Sequence, residues 1–334
     1  KDWNNFIKNS ESKNYGSINN FETLIEPLID IFIPLLYTDG FNFYKKYTLE
    51  YIGKIPRVIF TCIGYQHNEM FKIIAAETIN NQGKLVISQH GGTFGIAKHN
   101  QMEEHQIEIS DKFLSWGWNH NKNIKIKNSI SFQLSGIKSI KANNNNKVIN
   151  VMASTPRYFY AFFSLALGPE YRDYLNKQKY LLEDINKDIS KNIFHRLNGD
   201  HYGWEATKRL RILGLKICPY KASLMNTLKE YSLCISSYNA TVALQTLSMN
   251  YPTIIYWPKD IFEIRDEVKS DLEILSDFGI FHDNEVTFSN HLNKIYTNIP
   301  AWWNDPFLQK ARHEFCLKYV YTQNNWIKTF WDEL

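Results

Sequence analysis

RVIFTC at residues 57–62, NEMFKIIAAETIN at 68–80 and KLVIS at 84–88 form the stretch whose reading decides the fold. The first and third runs are short, apolar and β-branched, as a strand buried on both faces requires. The run between them repeats its apolar residues at helical spacing, and Asn81-Gln82-Gly83 supplies the helix stop. Strand, crossover helix and strand within about 30 residues is the unit of a parallel sheet. Beyond it, Asp111 opens a further apolar strand at 113–116, which ends at Gly117.

The same alternation restarts farther along. Strands are expected at 148–153, 193–197, 215–218, 233–236 and 253–257, with helices at about 170–190, 204–213, 224–230 and 241–249. Between Gly136 and Lys147 the periodicity lapses into a polar run, Asn143 to Asn146, which reads as a linker or surface excursion. Leu308, Ala311, Phe315, Tyr319 and Trp326 lie at near-helical spacing and predict one long C-terminal helix over 307–331. The fold class is therefore α/β: two Rossmann-like domains facing a central cleft, with a long C-terminal helix. The expected division is 1–140 for an N-terminal domain, 147–305 for a C-terminal domain, and 306–334 for a helix that packs back on the first.

Composition agrees. A chain of 334 residues exceeds the size at which single cores stop growing, roughly 250–300 residues, which favours two domains. With 44% hydrophobic and 22% charged residues it is an ordinary globular sequence, which excludes disordered, collagen-like and coiled-coil classes. The net charge of +4 is spread along the chain, so no basic block marks a nucleic-acid footprint. Cys62, Cys218, Cys234 and Cys316 are far apart and form no CxxC pair, which argues against a zinc site or disulfide framework and for a reducing, cytoplasmic setting. The apolar run 24–37 is broken by Glu26, Pro27, Asp30 and Pro34, and 158–167 is about half a membrane span.

The most informative local feature is Ser88-Gln89-His90-Gly91-Gly92-Thr93-Phe94-Gly95, directly after a buried strand. Its glycines permit a tight turn and a close backbone approach, and His90 is carried to the carboxyl end of the strand, where ligands bind. Histidine can accept or donate a proton near neutral pH. The alternative is a glycine-rich turn whose histidine only hydrogen-bonds the loop. Neither GxGxxG nor GxxxxGK[ST] is matched, which removes support for dehydrogenase and P-loop readings. Glu103-Glu104-His105 follows. Glu104 is the candidate to orient His90 or to act as base or nucleophile, whereas Glu103 reads more as a solvated helix start. Asp111, at the entry of its strand, reads as structural.

Farther on, Arg157 and Arg196 stand at strand ends, Arg196 beside His195 and ahead of Asn198-Gly199-Asp200-His201. Guanidinium groups there suit phosphate or carboxylate oxygens. In Ser236-Ser237-Tyr238-Asn239-Ala240-Thr241 a buried strand ends in hydroxyl residues and a helix starts at once, a place to hold phosphate on free N–H groups. Gln245, one turn in, reaches toward a ribose. The alternative is a hydroxyl cluster that caps its own helix. The scattered tryptophans receive no chemistry.

QHGGTFG, SDKFLSWGW, HRLNGDHYGW, SSYNATVALQTLSMNYPTIIYW and AWWNDPFLQKARHEFCLKY together resemble a family of bacterial surface-polysaccharide transferases. That family looks related to the GT-B enzymes that include capsule and O-antigen Kdo transferases and teichoic-acid glycerophosphotransferases. The resemblance implies a metal-independent GT-B glycosyltransferase without cofactor, its acceptor on the N-terminal domain and its nucleotide-activated sugar on the C-terminal one. His90 matches the cleft histidine, with Gly91 and Gly92 as loop backbone, and Ser237, Asn239 and Thr241 match the donor-phosphate turn beside Ser236. Gln245 stands where related enzymes carry a ribose-binding glutamate. The implied donor is a CMP-activated ulosonic acid such as Kdo. The implied acceptor is a lipid-linked glycan of lipopolysaccharide or capsule, met peripherally at the inner membrane face. Two other readings stand beside this one: a CDP-linked polyol-phosphate transferase with His90 as base, and a non-catalytic glycan- or nucleotide-binding module. If transfer retains configuration, Glu104 is a better nucleophile than His90.

Overall fold

A computed structural model describes residues 31–120, 122–159, 164–197, 202–218 and 223–334, together with Ile25, Leu28 and Ile29. Contacts divide the chain into two compact units, one of residues 1–59 and 64–83, the other of 60–63 and 84–334. The elements used below are α1 (Phe41–Ile52), β1 (Val58–Thr61), α2 (Gly64–His67), α3 (Glu69–Asn80), β2 (Lys84–Ser88), α4 (Gln101–Ile109), β3 (Lys112–Ser115), β4 (Ile126–Asn128) and β5 (Val148–Val151). They continue with α5 (Pro169–Tyr180), α6 (Lys187–Ser190), β6 (Ile193–Arg196), α7 (Ala206–Ile212), α8 (Leu224–Leu228), β7 (Leu233–Ser236), α9 (Thr241–Ser248) and β8 (Thr253–Tyr256). The last are α10 (Asp266–Asp277), β9 (Phe281–His282), α11 (Glu285–Ile295), α12 (Ile299–Trp303), α13 (Pro306–Tyr319) and α14 (Trp326–Glu333).

In the smaller unit α3 starts where Asn68 accepts a hydrogen bond from Phe71 N at 2.9 Å. It stops as expected at 81–83, where Gly83 N donates to Thr78 O at 2.8 Å. The left-handed residue there is Gln82, φ 61°; Gly83 is needed for space, since a Cβ would lie 2.8 Å from Arg57 O. Lys45 of α1 pairs with Glu77 of α3 at 2.6 Å.

The larger unit carries the α/β architecture expected from the strand–helix alternation. Its described residues form a four-stranded sheet of order β1-β2-β3-β4, to which β1 brings Phe60 and Thr61, and a five-stranded sheet of order β6-β5-β7-β8-β9. The neighbours β2–β3, β3–β4 and all neighbouring pairs of the second sheet run parallel. Successive residues of the second sheet point to opposite faces. Val148, Leu233 and Ile235 join one buried cluster with Phe288 and Leu292, while Ile149, Val151 and Cys234 join another with Tyr251. Both faces are covered, which is why these strands read as continuous apolar runs. From β5 the chain moves to β6 on one side and then to β7 on the other, so the strand order reverses between β5 and β7. A crevice opens at the carboxyl ends of such strands.

Several expectations change in detail. Residues 215–218 make one bridge, His195 to Ile217, and no strand. The helix expected over 170–190 is two, because the turn between them is pinned by Asn293, whose Oδ1 accepts from Asn186 N at 3.0 Å. The polar run 143–146 is exposed yet held: Asn143 N donates to Tyr231 O at 2.8 Å and Asn145 Nδ2 to Glu230 O at 2.8 Å. Asp111 has its structural role, accepting from Leu85 N at 2.8 Å.

The single C-terminal helix is also two. Tyr321 N donates to Trp116 O at 2.9 Å and Tyr321 O accepts from Ser131 N at 2.7 Å, which takes the backbone out of the helix at the edge of the first sheet. α13 packs on α9 and α10, and Phe330 of α14 meets Phe60 and Phe132 edge-on at 5.0 and 5.3 Å. This segment thus ties both sheets together. Residues 140–147 lie between the last strand of the first sheet and the first strand of the second.

Candidate functional site

β2 delivers Gln89 and His90 to its carboxyl end. Gln89 is buried and locks the turn: its Oε1 accepts from Trp116 N at 2.9 Å and Trp118 Nε1 at 2.7 Å, and its Nε2 donates to Gly91 O at 2.7 Å. The far end of the loop is fixed at Gly95, φ 72°, where a Cβ would sit 2.5 Å from the Trp118 ring. Gly95 N donates to Glu103 Oε2 at 2.7 Å, and Gly95 O lies 2.7 Å from His120 Nε2. Between these anchors His90 is half-buried, its ring edge-on to Phe94 at 5.0 Å and its Nδ1 3.3 Å from Gln106 Nε2. Its hydrogen bond therefore goes to α4 and not to its own loop. Burial lowers its pKa, so the ring is neutral at pH 7.

The second turn meets this loop directly. Gly92 N donates to Thr241 Oγ1 at 3.2 Å, and a Cβ on Gly92 would lie 2.5 Å from the Ala240 carbonyl carbon. The hydroxyls of the turn do not cap α9, whose N-cap is Ala240 with no side-chain bond. Ser236 Oγ donates to Tyr238 O at 3.3 Å, and Ser237 Oγ lies 3.0 Å from Tyr174 Oη and 3.2 Å from Val151 O. Ser237 thus braces the β5–β7 switch. Asn239 is fully buried, and neither side-chain atom has a hydrogen-bond partner among the described residues. Such an amide is costly unless something completes it. Gln245 Nε2 reaches Met225 Sδ at 3.3 Å.

Arg196 is 4% exposed and donates to the Thr227 hydroxyl. With Ser154, Tyr238 and Val242 it lines a cavity of about 280 Å³ at the carboxyl ends of β5, β6 and β7. His195 beside it is buried and held down to about 4, hence neutral, and supplies no charge. Arg157 is not brought to this cavity. It is exposed, its guanidinium 5.8 Å from the Tyr158 ring and 5.8 Å from that of Trp204. Asn198 to His201 lie outside the described residues.

The two glutamates exchange the places expected of them. Glu103, read as solvated, is 2% exposed, with Oε1 2.6 Å from Arg265 Nη2. Burial pushes its carboxyl upward against the pull of Arg265. Glu104 is exposed; with Lys98, His120 and Arg265 it lines a different cavity of about 710 Å³, to which His90 does not contribute. The helical period explains this: Glu103 and Gln106, three apart, face inward together, and Glu104 does not. Gln106 stands where Glu104 was expected to orient the imidazole. Gln89, Gln106, Tyr174 and Arg265 are the residues that sequence reasoning missed. Only Gln89 carried a local signal, its place beside His90.

A model of the LIC12162 family of transferases matches residues 1–334. No curated protein sequence matches the chain. Among solved structures, the crystal structure of Acinetobacter baumannii MurG is similar with a TM-score of 0.47 and 10% identity, over 87% of this chain and 77% of that one.

Proposed function

We propose that this chain, which belongs to the LIC12162 family of transferases, moves a sugar from a nucleotide donor to a bacterial surface glycan, in a GT-B arrangement. The observation that carries the reading is the Gly92–Thr241 contact, which sets the imidazole loop of one sheet against the uncapped helix start at the switch point of the other. The donor phosphate belongs at the carboxyl ends of β5 and β7. There the N-terminal end of α9 and Arg196 face charge that grows as the bond to the leaving group breaks. A CMP-activated ulosonic acid such as Kdo fits this chemistry, because it brings one phosphate and one carboxylate to a site with one buried arginine. Asn239 is the candidate to bind donor polar groups once the turn closes on them. Arg157 lies outside the cavity, three residues after Ser154, which lines it, and is assigned to the sugar carboxylate.

Calorimetric titration with CMP, CDP, UDP and GDP tests the donor assignment. CMP is expected to bind best, and Arg196→Met to weaken it by roughly 10–100-fold, the range for a lost charged hydrogen bond. Failure of every nucleotide to bind or turn over would remove the donor site.

The acceptor is taken to be lipid-linked and met at a membrane surface. No helix among the described residues is long and apolar enough to cross a bilayer. Support for surface contact comes from α1, where Phe43, Tyr47 and Tyr51, one turn apart, are 77%, 49% and 72% exposed. Residues 40–57 also carry Lys45, Lys46, Lys54 and Arg57 against the single carboxylate of Glu50. Exposed aromatics beside lysines suit an anionic interface. Sedimentation with vesicles containing phosphatidylglycerol is expected to carry down the native chain and to lose at least tenfold on joint replacement of the three rings by serine. Equal sedimentation of the two would refute the docking face.

A further inference from the structure

Gln106 is completely buried on α4, and its side-chain nitrogen reaches both Cys62 and His90. Nε2 donates to the Cys62 carbonyl at 3.2 Å and lies 3.3 Å from His90 Nδ1. A carbonyl oxygen can only accept, so the amide must turn its NH₂ end toward Cys62; the flipped amide would set oxygen against oxygen. The same NH₂ group therefore faces His90, and Nδ1 must meet it with a lone pair. In a neutral imidazole the hydrogen is then on Nε2. Nε2 has no hydrogen-bond partner among the described residues, although the ring is held against Phe94 and is only half-buried.

We infer that Gln106 is a positioning residue that holds His90 as the Nε2–H tautomer, so that His90 donates a hydrogen bond to an anionic oxygen of the substrate and does not serve as the base for the acceptor hydroxyl. The tautomer stands on the Gln106 geometry alone; its use on substrate rests on the transferase reading above. Burial supports it by keeping the ring neutral near pH 7, and a neutral ring needs its tautomer set. The loop places the donor appropriately, since Gly92, two residues on, touches the turn assigned to the donor phosphate. The hydrogen bond moves no proton. It strengthens as negative charge builds on the oxygen it meets, and His90 leaves the reaction as it entered.

The first measurement needs no substrate. Long-range nitrogen–proton correlation spectra of the full ¹⁵N-labelled chain at pH 7.5 are expected to show His90 with a protonated Nε2 and a bare Nδ1. Gln106→Glu presents an acceptor to Nδ1 and should reverse that assignment. Finding the Nδ1–H form in the unmutated protein overturns the inference whether or not the chain is a transferase. The second measurement uses the side chain that keeps a donor near the Nε2 position. His90→Gln is expected to retain turnover within about tenfold, while His90→Ala loses roughly 10²–10³ in kcat, the usual loss for one charge-stabilising donor. Equal loss in both variants means that His90 works as a base. Should no nucleotide sugar turn over, titration with CMP is read at His90 itself: a downfield shift of the Nε2 proton without change of tautomer supports donation, and an unmoved resonance refutes it.

Discussion

Gly92→Ala is expected to lower kcat/KM by at least a hundredfold, while Gly91→Ala, one residue earlier, stays within tenfold of the native chain. Neither glycine adopts a left-handed conformation, so the difference is one of space alone. A methyl group on Gly91 would meet nothing closer than Phe94 at 3.9 Å. On Gly92 it would stand 2.5 Å from the Ala240 carbonyl carbon, 2.6 Å from its oxygen and 2.6 Å from Thr241 N. These are backbone atoms at the start of α9, and no side chain can rotate out of the way. The turn must retreat by about an ångström, which breaks the Gly92–Thr241 hydrogen bond and shifts the helix end away from the imidazole loop. Displacements of that size in a reacting constellation cost on the order of 10²-fold. Overpacking itself costs about 1–3 kcal/mol, so the variant should still fold. Steady-state kinetics beside thermal unfolding separates the two effects, and matched losses for both alanines would show that the two loops need not touch.

The frame of this molecule was legible because its central strands are buried on both faces. Val148 to Val151 and Leu233 to Ser236 announce themselves as β-branched or apolar runs whatever lies on either side. β4 and β9 were not read: Ile126-Lys127-Asn128 has one apolar residue, and Phe281-His282 is two residues long. Neither offers a period to detect. The C-terminal helix failed for another reason. Its apolar spacing continues past Tyr319, but the break comes from hydrogen bonds to Trp116 and Ser131, about 200 residues earlier in the chain.

The site was legible only in its loops. His90 and the turn up to Thr241 are motifs confined to a few residues, and the structure brings Gly92 against Thr241. The supports of the loop come from afar. Gln106 and Glu103 sit on a helix whose polar residues all look solvated, and what draws Glu103 inward is Arg265, 162 residues later. A carboxylate beside a second carboxylate at a helix start gives no sign of which one is buried. That choice depends on where α4 turns its face, which is set by its packing on the first sheet.

That buried pair leads to the largest expected loss of stability. Arg265 binds the loop after β2 twice and α4 once: its N donates to Ile96 O at 3.0 Å, its Nε to Ala97 O at 2.8 Å and its Nη2 to Glu103 Oε1 at 2.6 Å. Arg265→Met removes the cation and leaves Glu103 in the interior with only Gly95 N to satisfy it. Breaking one side of a buried ion pair costs about 3–5 kcal/mol, which for a chain of this size is a fall in Tm on the order of 4–7 °C. The direction of the Glu103 shift predicts how the loss arises. Without Arg265 nothing opposes the effect of burial, so the carboxyl takes up a proton at a higher pH than in the native chain. The variant should therefore lose less at pH 5 than at pH 8, because a larger share of the orphaned carboxyl is protonated at the lower pH. Glu103→Gln supplies that neutral form at every pH while keeping an oxygen for Gly95 N. The double variant Glu103→Gln/Arg265→Met should be more stable than Arg265→Met alone, a strongly non-additive cycle. Additive losses, or a loss for Arg265→Met that does not vary between pH 5 and pH 8, would mean that the arginine side chain acts through its Nε bond to Ala97 and not through the charge of Glu103.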